Sequence, residues 1–418
     1  MPNQTVSSGN PIKRIATLLP VLLAFLVWSA CGSSSPTSTT SNAKNRAFVS
    51  NVFSGNLQIV DSQTDKTPFT AQTTNSNGQV IPGQPVTIPV SNSLTFLVES
   101  PDHTITLGYN PTSFALWFVT NSSETAAGDI PLSNSTGMAV FSPDSNSVYV
   151  PEPNLSFPGL RAGGVQVIDR VNSVISASYN VPSARYIAIS PNGNFLLVFA
   201  DNTDSMFLIN LTASTITAVE EPGFARPVNA FFSSDSNTAY VLSCGPECGS
   251  GNPASVASFD IPSQTITKTV AVGGASVGLM NGTTLYVAGS PVPPGTTSTY
   301  DAVNVADMTR ITANSVAITD GFHTTMALAP NNKLYIGANT CLNTTNGCLS
   351  VVDVGSNTAD AALPPRGAIT SLMSVTGRNV IYAIEGGVLH IYDTTNDQLQ
   401  NTQILFTGAV FGVVQVDQ

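Results

Sequence analysis

The chain has 418 residues, of which 42% are apolar and only 9% charged, and 14 Lys and Arg against 25 Asp and Glu leave a net charge of −11. That apolar content excludes a disordered body, the acidic balance argues against nucleic acid as a partner because phosphate backbones would be repelled, and the abundance of Gly, Pro, Ser, Thr and Asn excludes a coiled coil. The composition fits an all-β protein of many short strands joined by tight turns.

The N-terminus reads as an export signal. Lys13 and Arg14 form a basic flank, Ile15 to Val27 is an apolar run, and Trp28-Ser29-Ala30-Cys31 follows. A short apolar run after a basic flank, with small residues at the cut, marks a secretory segment. A transmembrane helix needs about 20 apolar residues, so this run is short for a span. The small residues before Cys31 and the Gly-Ser-Ser-Ser after it resemble a bacterial lipobox, with Trp28 standing where that pattern prefers Leu. The resemblance implies cleavage before Cys31 and lipidation of its thiol; plain secretion and a retained anchor are the alternatives. Residues 1–30 are then a signal peptide, 31–45 a lipidated Cys with a Ser/Thr-rich tether, and 46–418 the folded body. The protein is expected to be exported and lipid-anchored at the periplasmic or outer-membrane face of the cell envelope. Gly32 stands where an Asp would retain a lipoprotein in the inner membrane, which leans towards the outer membrane.

Internal repetition organises the rest. One unit is an apolar stretch, a Ser-Pro-Asp or Ser-Pro-Asn-Gly turn, a strand ending in Tyr-Val, a loop, a strand ending in Asp and a short final strand. Clear copies run Ala139 to Val150, Ile187 to Val198, Ala230 to Val241 and Met326 to Ile336, with a degenerate copy from Thr95 to Asp102. Pro presets the turn and Asn or Gly takes its left-handed position, so each signal predicts a hairpin. The third strand returns at Leu57–Asp61, Ala115–Val119, Val165–Asp169, Met206–Asn210, Val256–Asp260, Ala302–Val305, Leu349–Asp353 and Leu389–Asp393. Eight copies predict a single β-propeller of eight four-stranded blades, or seven if the degenerate second unit is not a blade. The long first gap predicts an insertion around Thr70 to Pro85. The first unit lacks an opening strand before Arg46, and Ala409 to Val416 is a spare strand at the other end. Pairing the two closes the ring and hides both edges.

These units resemble the YVTN-family propeller repeats over roughly Arg46 to Gln418. The resemblance implies a fold shared by surface-layer proteins, binding modules and a lactonase branch, and so implies no single activity.

Chemistry-bearing residues are sparse. Cys244 and Cys248, and Cys341 and Cys348, lie between second and third strands. In an oxidising compartment they read as two local disulfides, with a single four-Cys zinc site as the alternative. The three His are His103 in a turn, His390 within a strand and His323 before an innermost strand. Gly274-Ala-Ser-Val-Gly278 matches a nucleophile elbow in sequence but lacks the strand–turn–helix context. Arg185, Arg226 and Arg366 fall where the chain crosses into the innermost strand of a blade, and His323 takes the equivalent place. Converging at one channel mouth, they could hold a carboxylate, phosphate or sugar acid; alternatively each Arg caps local carbonyls or pairs with a nearby acid.

No catalytic residue, cofactor or metal is indicated. The expected function is a binding or scaffold module at the envelope, monomeric, with an envelope protein, peptide or glycan as partner. The alternatives are a lactonase-like hydrolase acting on sugar lactones at the channel mouth and a structural surface-layer component.

Overall fold

The computed structural model describes residues 40–90, 93–290, 298–341, 348–360, 363–400, 404 and 406–417. The expected export segment and Cys31 lie outside the described residues. Eight antiparallel sheets follow one another along the chain, each a meander from an innermost to an outermost strand. They are the eight blades of a β-propeller, numbered here in chain order.

The second strands are Arg46–Asn51, Ile105–Asn110, Ser147–Glu152, Phe195–Ala200, Thr238–Ser243, Thr284–Gly289, Lys333–Thr340 and Val380–Glu385. The third strands are Asn56–Asp61, Ala115–Thr120, Gly164–Asp169, Met206–Asn210, Ser255–Asp260, Ser298–Asn304, Leu349–Asp353 and Val388–Asp393. All eight repeats read from the sequence are therefore blades, including the degenerate second one. These strands are buried on both faces, so they are apolar nearly throughout rather than alternating. The outer strands show the reverse: Val174–Asn180 is exposed over most of its length. Among the described residues there are eight apolar clusters, one between each pair of neighbouring blades.

The C-terminal strand Val410–Gln415 pairs with Arg46–Asn51 as the innermost strand of blade 1. Arg46 fastens this closure. Its guanidinium donates to both carboxylate oxygens of Asp417, at 2.8 and 2.7 Å. It also reaches Glu124 of blade 2 at 3.0 Å. Thr40 to Asn45, within the stretch expected to be tether, runs beside this node, where Ser41 donates to Glu124.

The expected insertion is present between the third and outer strands of blade 1 and carries its own small hairpin, Thr73–Thr74 with Val80–Ile81. Blade 6 departs from the repeat. Its outer strand is broken into Thr309–Arg310 and Val316–Ile318, both paired to Ser298–Asn304. Between the two pieces, Thr312 and Ser315 donate to the buried carboxylate of Asp301 at 2.7 Å each.

Candidate functional site

The up-and-down meander sorts the connections onto two faces. The turns joining first to second and third to fourth strands share one face, the turn face. The loops joining second to third strands and the crossings between blades share the other, the crossing face.

The turn face is built from one repeated device. Ser142, Ser190 and Ser233 each take an N–H five residues on, from Ser147, Phe195 and Thr238, at 2.9 to 3.0 Å. The Asp at the end of the third strand caps the next turn: Asp169 accepts from the Asn172 N–H at 2.9 Å and Asp260 from that of Ser263 at 2.8 Å. Tyrosines latch neighbouring blades. Tyr335 of blade 7 donates to Asp397 of blade 8, and Tyr382 of blade 8 to Asp65 of blade 1. His103 holds a left-handed turn position, half exposed, 3.0 Å from Glu99. A cavity of about 390 Å3 opens here between blades 1 and 2, lined by Lys44, Arg46 and His103 among others. Arg46 and His103 are held there by carboxylates at 2.7 to 3.0 Å, closer than the 3.7 to 3.8 Å between Arg185 or Arg226 and their Asp neighbours.

The crossing face holds what differs between blades. The loops from Glu152 to Gly164 and from Ser243 to Ser255 are long, whereas Glu385 to Val388 is a tight turn. Both disulfides lie here, Cys244–Cys248 and Cys341–Cys348, with Cα atoms 5.8 and 5.3 Å apart. The four cysteines are therefore two local pairs rather than a zinc site. The first pair closes a short 3-10 turn, Gly245–Cys248. Gly245 has φ +65°, and a Cβ there would lie 2.4 Å from the Ala254 backbone nitrogen.

Two of the four cationic candidates meet. Arg185 stands in the innermost strand of blade 4 and Arg226 in the crossing into blade 5, and both reach the loop between them. Arg185 lies 3.8 Å from Asp201 and Arg226 3.7 Å from Asp204. Arg185 is half exposed, and its guanidinium sits 5.8 Å from the ring centroid of Tyr186, itself 39% exposed. Arg226 has φ +58°, a left-handed conformation that costs a bulky side chain energy. Asp204 fixes it by accepting the Arg226 N–H at 2.8 Å, and the Cys244 N–H fixes it by donating to the Arg226 carbonyl at 3.0 Å. Its buried Nε makes no hydrogen bond among the described residues.

The other two stand apart. His323 lies in the innermost strand Phe322–Leu328 of blade 7 but is only 2% exposed. Burial holds its pKa down at about 4, against the opposing pull of the Thr319 and Gly321 backbone. It is neutral at pH 7 and sealed from solvent. Arg366 belongs to the joint between blades 7 and 8, three crossings from Arg226. Its charge favours the ionised form of Glu385 and disfavours protonation of His390.

The sequence reading missed three buried carboxyls on this face. Glu152 and Glu385 end the second strands of blades 3 and 8, at 0% and 1% exposure. Burial pushes each pKa up to about 7, countered at Glu385 by the Tyr392 hydroxyl, which donates at 2.5 Å. In blade 6 the equivalent position is Gly289, and Glu247 reaches across from blade 5 to fill it: a Cβ on Gly289 would lie 2.7 Å from the Glu247 carboxylate. Glu247 accepts the Ser290 N–H at 2.8 Å, and burial raises its pKa too. Other blades place Asn51, Asn110 or Ser243 here. In blade 5 this position binds the crossing backbone: Ser243 Oγ accepts the Ala225 N–H at 3.2 Å.

No protein-family model matches the chain, and none of the curated proteins does. Solved structures do match in fold. The dihydro-heme d1 dehydrogenase NirN in complex with DHE aligns with a TM-score of 0.64 at 10% identity, over 91% of this chain and 77% of that one. A hydrazine synthase from Kuenenia stuttgartiensis aligns at 0.53 and 15% identity, over 74% of this chain and 95% of that one. A functionally unknown protein from Desulfotomaculum acetoxidans aligns at 0.51 and 16%, over 76% and 95%. At these identities the likeness is one of fold alone.

Proposed function

We propose that this β-propeller is an exported, lipid-anchored binding or scaffold module of the YVTN-repeat kind, working at the cell envelope and taking an anionic group at its crossing face. One observation carries the reading: Arg185 and Arg226 flank a single loop beside the exposed Tyr186, each 3.7 to 3.8 Å from an Asp of that loop, and Arg226 is held in a strained backbone conformation. Strain of this kind persists where the surroundings enforce it, and it clusters at ligand sites. Two guanidiniums next to an exposed ring suit a carboxylated or phosphorylated sugar, which offers oxygen acceptors and a face to stack. The hydrolase reading draws less support, because His323, the one imidazole at this level of blade 7, is sealed.

The test is thermal unfolding against sugar acids, sugar lactones, phosphates and cell-wall glycan fragments. A ligand present at about a hundredfold over its Kd should add roughly 2.7 kcal/mol of stability. The shift should vanish in the Arg185→Ala, Arg226→Ala double variant. A panel without any shift, or a shift indifferent to both arginines, refutes the site. The anchor is tested separately by incorporation of labelled palmitate, expected in the wild type and absent in Cys31→Ala.

A further inference from the structure

We infer that the insertion in blade 1 is a membrane-contacting arm, whose Phe69, Val80 and Ile81 side chains enter the interfacial layer of a phospholipid surface. The inference rests on the membrane-tether part of the reading above, and its test is separable from it.

The arm presents apolar side chains to water. Phe69, Val80 and Ile81 are 60%, 62% and 45% exposed, in a segment that other blades replace with a turn of a few residues. It is not a slack loop. Thr73 pairs with Ile81 and Thr74 with Val80. Asn75 Oδ1 accepts the Asn77 and Gln79 N–H groups at 3.0 and 2.9 Å. At the base, the Thr70 N–H donates to Gln84 O at 2.8 Å and that of Val86 to Pro68 O at 2.9 Å. Much of the backbone is thus paired internally, which lowers the cost of leaving water.

Charge points the same way. From position 67 to 98 there is no Asp, Glu, Lys, Arg or His, whereas 9% charged residues overall would place about three in such a stretch. The surrounding turn face is acidic, with an Asp at most of its turns. An uncharged arm is the part of that face that meets a lipid surface without electrostatic cost.

Position completes the argument. The chain enters the propeller on this face, at Arg46, and the segment before it is hydrogen-bonded to the turn that opens the insertion. The Ser62 N–H and Oγ both donate to Asn45 O, at 2.7 and 2.8 Å. A tether attached through this segment would join the propeller on the face that carries the arm.

The experiment uses the protein beginning at Thr40, which contains every strand of the eight blades and the closing strand. Phe69→Trp serves as reporter, mixed with phosphatidylcholine–phosphatidylethanolamine vesicles. Its fluorescence should shift blue and be quenched by brominated lipid. Adding phosphatidylglycerol should weaken binding by repelling the acidic turns. Val80→Asn with Ile81→Asn should lower the partition coefficient roughly tenfold or more. A reporter indole that stays water-exposed at saturating lipid overturns the inference. So does unchanged partitioning of the Asn variant, or a concentration-dependent dimer abolished by the same substitutions, which would assign the arm to a second copy of the chain. Because this shortened protein lacks Cys31, vesicle binding here and palmitate labelling in cells succeed or fail independently.

Discussion

Glu152 sits fully buried at the top of blade 3, and burial raises its pKa from 4.5 to about 7. The Asn134 backbone opposes that shift, but neither carboxylate oxygen makes a well-formed hydrogen bond among the described residues. The folded protein therefore binds this proton more tightly than the unfolded chain. Stability from this group is whole below about pH 4.5 and falls as pH rises to about 7, by about 3 kcal/mol in all. Glu152→Gln keeps the shape and removes the ionisation. It should leave stability nearly unchanged at pH 4.5 and raise it by about 2–3 kcal/mol at pH 8, roughly 4 °C in a domain of this size. The assay is the unfolding midpoint of both proteins from pH 4.5 to 8.5. The difference between the curves is the informative quantity, because other groups move each curve. His323 runs oppositely: its depressed pKa costs stability as pH falls from about 6.5 towards 4. Glu385 runs the same way as Glu152. A variant equally or less stable than wild type at pH 8 would refute the reasoning, since it would show the ionised carboxylate to be compensated by a partner.

Two further predictions concern the closure and the loop behind Arg226. Asp417→Asn weakens the paired contact with Arg46 and should cost about 1–2 kcal/mol at neutral pH. Burial works to raise the Asp417 pKa, but the hydrogen bonds and charge of Arg46 outweigh it and lower the pKa. This contribution therefore fades as pH falls below about 4, and denaturant unfolding at pH 7 and pH 3 checks both halves. Replacing Cys244 and Cys248 by Ser should cost about 2–3 kcal/mol. Because the Cys244 N–H holds the Arg226 carbonyl, the same variant should weaken ligand binding at the crossing face even where it stays folded, which a binding titration below the unfolding midpoint reads directly.

The blades were legible because their signals are local and repeated. Ser-Pro-Asp turns, Tyr-Val strand ends and Asp caps recur in step, and each is explained by bonds within a few residues, as at Ser142 and Ser147. The closing strand was legible because one end of the chain lacked what the other had in excess. The site was much less so. That Arg185 and Arg226 share a loop depends on where one blade's crossing lies over its neighbour. The strain at Arg226 is a backbone property with no residue signature, since an arginine gives no hint of positive φ. Glu152 and Glu385 could have been found by aligning the second strands, where they replace Asn or Ser at the last position. Glu247 could not, because it fills a niche that a glycine in another blade leaves open. The break in the outer strand of blade 6 follows from Asp301, whose buried carboxylate draws Thr312 and Ser315 inward.

The joint between Arg46–Asn51 and Val410–Gln415 also bears on biogenesis. Blades 2 to 8 each contain all their strands in sequence and can stack as the chain emerges, but blade 1 must wait for the last residues before it has an inner strand. Until then the ring is an open arc with an unpaired edge in its first blade, the condition in which β-rich chains associate with the wrong neighbour. The final strand and its Asp417 reach Arg46 only once the whole chain has been made. Premature termination by a handful of residues would then be far more damaging than an equal deletion from a crossing-face loop, and cellular quality control would have the unclosed arc as its substrate.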